Sequence, residues 1–205
     1  MGMPAIRHRW SPAQVRELID KAPRYWPRYE LIDGELVVTP SPGWPHQFAC
    51  KQILFELEKH LAHDCVGTVM MSPADLKLQS ESINQPDVFV TDLVPTGRQV
   101  ETFDQLPSWN DVKRLLLAVE VISPSSIRTD RVRKRDFYMR SPVDEYWVVD
   151  PEARVIERWF PDKEAPETFS ETMEWRPRGS KSPFVIDVKA LFVRIWKDYQ
   201  NSGLE

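Results

Sequence analysis

Two acidic residues of this chain stand where acids are costly. Glu120 lies inside Leu115-Leu116-Leu117-Ala118-Val119-Glu120-Val121-Ile122, a near-continuous apolar run. Strand alternation places Leu116, Ala118, Glu120 and Ile122 on one face. Asp87 stands likewise at the head of Asp87-Val88-Phe89-Val90. A carboxylate cannot be buried alone, so each must be paired or hold a cation. If the two strands are neighbours, Asp87 and Glu120 converge on one divalent ion, and the Val121 carbonyl adds a third oxygen. Mg²⁺, or Mn²⁺ in its place, accepts such ligands and keeps positions for water and phosphate oxygens. Bound there, it would polarise a phosphodiester and acidify an attacking water. An ion pair that only holds the fold together uses the same residue types, and sequence physics alone leaves both readings open.

Just downstream, the stretch from Arg128 to Arg140 carries six basic residues against Asp130 and Asp136. Asp130, Lys134 and Tyr138 are spaced four apart and share one helical face. That face can turn Lys134 toward the acids and lay Arg128, Arg131 and Arg135 along a phosphate backbone. A solvated charged helix surface is the plainer account of the arginines taken singly. Tyr138 either orients Lys134 or packs its ring.

These residues need elements to hold them. A helix is expected over 11–22, with Ser11 as its cap, Pro12 in its first turn, and Val15, Leu18 and Ile19 on one apolar face. Asp33-Gly34 between apolar runs predicts a hairpin over 28–39. Helical spacing of Phe48, Ile53, Leu54, Leu57 and Leu61 predicts a helix over 47–61. Strands are expected over 66–71, 74–78, 85–90, 115–122, 145–149, 155–160 and 184–188. Helices are expected over 129–139 and 191–199, and 94–111 reads as a long surface connection. The run 115–122 is apolar throughout, so it belongs at the sheet centre, covered on both faces. The order gives a mixed α+β fold with a central mixed sheet flanked by helices, preceded by an N-terminal helix and hairpin.

The bulk properties agree. The chain has 205 residues, 41% hydrophobic and 28% charged, which suits one domain spanning 1–205. Its longest apolar run falls far short of the roughly 20 residues of a membrane span, and no secretory leader is expected. Two cysteines, Cys50 and Cys65, exclude a zinc knuckle and read as reduced thiols, so a cytoplasmic address is expected. A net charge of −4 argues against long-range attraction to nucleic acid without excluding a local basic groove.

Taken together, Tyr29 to Leu36, Pro42 to His46, Gln85-Pro86-Asp87-Val88, Val119 to Ser125, Asp130-Arg131 with Lys134 and Tyr138, and Glu145 to Pro151 form six ordered blocks. In these the chain resembles the PD-(D/E)xK nuclease superfamily, and within it the Uma-type restriction-endonuclease family, over roughly residues 10–195. The resemblance implies a restriction-endonuclease-like fold with a four-stranded core sheet, Asp87 and Glu120 as metal ligands, a DNA substrate and a homodimer. The superfamily commonly carries a lysine two residues after the glutamate. Here that position is Ile122, and the resemblance implies a migrated lysine at Lys134. Glu30 matches an acid contributed by the N-terminal region, for a second metal or an outer water, and is equally a hairpin-edge surface acid. His46 falls in a matching block, for phosphate contact, proton relay or simple loop packing. A catalytically inactive nucleic-acid-binding module on the same scaffold is the alternative function, and hydrolysis of a non-nucleic substrate is a third.

Overall fold

The computed structural model describes residues 8–22, 27–93, 101–102, 107–124 and 126–201. Helix α1 (Pro12–Lys21) opens with Ser11 accepting from the Gln14 backbone while the Gln14 side chain returns to Ser11, a closed capping box. Strands β1 (Arg28–Ile32) and β2 (Glu35–Thr39) form the expected hairpin. Its turn residues Asp33 and Gly34 both have positive φ, 54° and 78°, the conformation a two-residue turn needs to match strand twist. The hairpin is a sheet of its own. It meets the rest through Leu31, which exchanges backbone bonds with Ile83.

Helix α2 (Trp44–Asp64) starts three residues earlier than its apolar spacing suggests, with Pro45 in its first turn. The main sheet follows: β3 (Thr68–Met71), β4 (Val88–Thr91), β5 (Leu115–Val121), β6 (Tyr146–Asp150), β7 (Val155–Trp159) and β8 (Glu167–Phe169), side by side in that order. Only the β5–β6 pair is parallel. The sheet therefore has six strands rather than the four the resemblance implies, β7 and β8 extending it as an antiparallel flank. Strand β9 (Thr172–Trp175) pairs with β10 (Phe184–Asp187) in a separate ribbon, and α4 (Val188–Asn201) closes the fold.

Every residue of β5 is buried, as its composition requires. One face packs on α2 and α4 through Leu117, Val119, Val121, Trp147, Leu57, Phe192 and Ile195. The other packs Ala118, Ile122, Phe137, Tyr138, Tyr146 and Val148. Leu116 was expected beside Ala118 but falls in the first cluster with Leu117. The β4–β5 register steps from Val90↔Leu117 to Thr91↔Leu115, passing over Leu116, and such a bulge breaks alternation. Residues 74–78 form no strand, only an isolated bridge from Leu76 to Asn84. Most of the surface connection over 94–111 lies outside the described residues; of the remainder, Trp109–Asp111 is a 3-10 turn. The expected helix over 129–139 is a π-helical turn, Thr129–Lys134, running into a short α-helix, α3 (Arg135–Met139). No helix among the described residues is long and apolar enough to cross a membrane.

Candidate active site

Strand β1 brings Arg28 and Glu30 to one face, since they are two residues apart, and both are buried. Asp87 precedes β4, Glu120 lies near the end of β5, and the π-helical turn buries Asp130 and Lys134 against them. A π turn inside a helix re-aims side chains relative to α spacing, and it is found often at functional sites.

The groups form one continuous network. Arg28 Nη2 donates to Asp87 Oδ1 at 2.6 Å. His46 Nε2 lies 3.0 Å from Asp87 Oδ2, and the Val121 amide donates to the same oxygen at 2.9 Å. Lys134 Nζ donates to Glu120 Oε1 at 2.9 Å, and the Tyr138 hydroxyl donates to that oxygen at 3.1 Å. Lys134 is also 2.9 Å from Glu30 Oε2 and 3.8 Å from Asp130 Oδ1. Its approach to Glu30 Oε2 is an ion pair without hydrogen-bond geometry, so that buried oxygen keeps an unused lone pair. The other Glu30 oxygen accepts from the Gln85 amide at 2.9 Å.

Four carboxylates, Glu30, Asp87, Glu120 and Asp130, thus share a buried volume with two permanent cations, Arg28 and Lys134. Counted as four ionised carboxylates, one guanidinium and one ammonium, these six groups are net −2. The protonation equilibria show that deficit. Burial opposes charge on Asp87, but His46, Arg28 and Lys134 outweigh it and hold its pKa far below the carboxylate range. Burial raises Glu120, Lys134 only partly offsets this, and Asp87, Asp130 and Glu30 push it higher still. Asp130 is lifted to about 6 by burial, against the pull of Lys134. Burial works against the Lys134 ammonium, yet Glu120, Glu30 and Asp130 more than reverse it, so Lys134 stays charged. It is a donor and a cation here, not a base.

Asp87, Glu120, Val121, Asp130 and Lys134 line a cavity of about 160 Å³ walled by residues 37–43 of β2 and its following loop. A larger cavity of about 530 Å³ lies behind Arg28 against α1 and touches none of the four clustered carboxylates. Chemistry rather than size therefore locates the site. The charge deficit suits a divalent cation, and among the described residues the ligand atoms of His46, Cys50 and Asp87 lie within 4.8 Å of one another.

The structure brings Asp87, Glu120, Lys134, Val121, Glu30, His46 and Tyr138 together. Glu30 is fully buried rather than a hairpin-edge surface acid. Two of the three arginines are engaged within the chain. Arg131 bridges Asp150 and Glu157 across β6 and β7 at 2.9 and 2.7 Å. Arg135 pairs with Asp136 and sits over the Trp159 ring, while Arg128 is exposed. Arg28 and Asp130 were not picked out as site residues, although period-two spacing from Glu30 and four-residue spacing to Lys134 pointed to them.

A mixed sheet whose neighbouring central strands deliver two acids, with a lysine supplied by the next helix, has the restriction-endonuclease-like fold. The chain belongs to the Uma2 family, described as "Putative restriction endonuclease", which matches residues 15–181. Among solved structures it is similar to "a putative nuclease belonging to DUF820 from Anabaena variabilis ATCC 29413", with a TM-score of 0.64 and 16% sequence identity over 87% of this chain and 97% of that one. At that identity the likeness concerns the fold. No curated protein matches the chain.

Proposed function

We propose that the protein is a metal-dependent endonuclease hydrolysing DNA phosphodiester bonds. The observation that carries this reading is a buried cluster of four carboxylates against two cations, with Asp87, Glu120 and Asp130 lining a cavity large enough for a phosphoryl group. Asp87 and Glu120, with the Val121 carbonyl, would hold Mg²⁺ or Mn²⁺. When bound, such an ion polarises the phosphodiester and lowers the pKa of water.

The chain's own groups do the rest. Tyr138 and Lys134 fix Glu120 through one oxygen, Oε1, leaving Oε2 available. Arg28, His46 and the Val121 amide hold Asp87 ionised and oriented. Lys134 lines the cavity, where a fixed cation stabilises negative charge growing on phosphate oxygens. Glu30 anchors Lys134 from behind.

The test is cleavage of single-stranded and of supercoiled DNA with Mg²⁺ or Mn²⁺, paired with calorimetric titration of Mn²⁺. Glu120→Ala and Asp87→Ala are each expected to lower cleavage by about 10³-fold or more, of the order that loss of a key charge-stabilising group costs. The heat of Mn²⁺ binding should vanish in Glu120→Ala while circular dichroism is unchanged. Full cleavage by both variants would falsify the reading. One observation favours a second reading, a non-cleaving binding module: both Asp87 oxygens are already bonded within the protein. DNA binding by wild type without Mn²⁺ heat and without cleavage would select it.

A further inference from the structure

This inference rests on the nuclease reading above and concerns the form of the substrate. Asp87, Glu120 and Lys134 are only 5%, 2% and 3% exposed, so the phosphodiester must come to them. Their cavity of about 160 Å³ admits a phosphoryl group and little more, being well below the roughly 300–1,000 Å³ of sites that enclose organic ligands.

Two larger cavities adjoin it. One, of about 430 Å³, shares Arg28, Pro42, His46 and Asp87 with it. The other, of about 390 Å³, shares Gly43, His46 and Ser123. His46 lines all three. Large, small and large spaces meeting at one side chain match nucleoside, phosphate and nucleoside. The second flanking cavity has Ile122, Ile127, Pro151 and Trp196 on its apolar side, which receives the face of any base, and Asp150 and Glu152 on its polar side.

A duplex cannot use this arrangement as it stands. Its bases are stacked and paired, and moving either flanking base into a side cavity costs a few kcal/mol of unstacking and unpairing. Duplex binding also draws on lysines and arginines free to neutralise phosphates. Around the π turn and α3, Arg131, Arg133, Arg135 and Arg140 are each paired to an acid of the chain itself.

We infer that the site takes an unpaired DNA strand, threading the scissile phosphate past His46 with a flanking base seated against Ile127 and Trp196. Ile127 is 41% exposed at the cavity rim, so its side chain can be changed without opening the core.

The experiment compares one labelled oligonucleotide, alone and annealed to its complement, with the full chain and Mn²⁺. The single strand is expected to be cut at least tenfold faster than the duplex. Ile127→Glu is expected to raise KM for the single strand about tenfold, the equivalent of about 1.4 kcal/mol, with kcat within about twofold of wild type. Ile127→Ser, with a smaller rise in KM, is the check should the glutamate variant fold poorly. A duplex cut as fast as the single strand overturns this inference and leaves the nuclease reading intact. An unchanged KM in both folded Ile127 variants overturns the seat of the base. Cleavage of neither substrate with Mg²⁺ or Mn²⁺ overturns the nuclease reading, and this inference with it.

Discussion

Lys134 compensates three acids at once, standing within 4.0 Å of Glu30, Glu120 and Asp130. Removing it strands buried charge, so Lys134→Ala is expected to destabilise the fold by about 3–5 kcal/mol, read from urea unfolding at neutral pH. The same variant should gain more thermal stability from Mn²⁺ than wild type does, because the ion then supplies the missing cation. An equal gain would mean that metal and lysine do not share these acids. At this scale the sequence was legible wherever a charge interrupts an apolar pattern. Asp87 and Glu120 stand out because burying an acid is costly, and Lys134 because its helix face converges on them. Arg28 was not legible as a site residue: it opens a hairpin strand, and its partner Asp87 is 59 residues away. Ion pairing across such a distance leaves no local periodic trace.

Local chemistry carried most of the elements. The hairpin turn depends on Gly34 at φ 78°, where an added Cβ also meets the Arg9 side chain at 3.0 Å. Gly34→Ala is expected to cost about 1–2 kcal/mol through the left-handed backbone it forces on an L-residue, measured as a shift in the urea midpoint. A neutral result would show that the turn relaxes without Arg9. The capping box of α1 and the apolar run of β5 were equally plain in the sequence. Strand β8 was not, because Glu167 and Thr168 are both exposed at the sheet edge, and a strand with no buried face shows no alternation. The π turn was also hidden: Asp130, Lys134 and Tyr138 share a face in an ordinary helix too, and the sequence pattern does not separate the two windings.

For the molecule as a whole, stability should depend on pH through a carboxyl outside the site. Burial raises Glu145 from 4.5 to about 7, against the Trp147 hydrogen bond and the nearby Arg158. The folded chain therefore holds a proton that the unfolded chain releases. This contribution is complete below about pH 4.5 and is lost as pH rises through about 7. A shift of this size corresponds to about 3 kcal/mol. Glu145→Gln keeps the acceptor for Trp147 Nε1 and is expected to be more stable than wild type at pH 8, with the difference shrinking at pH 5. Identical urea midpoints at both pH values would place the group elsewhere in the balance. The arrangement of six strands between α2 and α4 on one side and α3 on the other followed from β5 being apolar on both faces. The division of the hairpin from the main sheet did not, since nothing in the hairpin's own residues says that it stands apart from that ladder.

That division has a consequence for how the protein comes into being. Arg28 and Glu30 belong to the hairpin and are synthesised first, whereas Asp87, Glu120 and Lys134 follow 57 or more residues later than Arg28 or Glu30. The later part alone sets Asp87, Glu120 and Asp130 against Lys134, and Arg28 reaches Asp87 only when the hairpin docks. On the proposed function, a nascent or partly unfolded chain is a blade without its edge, unable to cut until the last of these distant charges has docked.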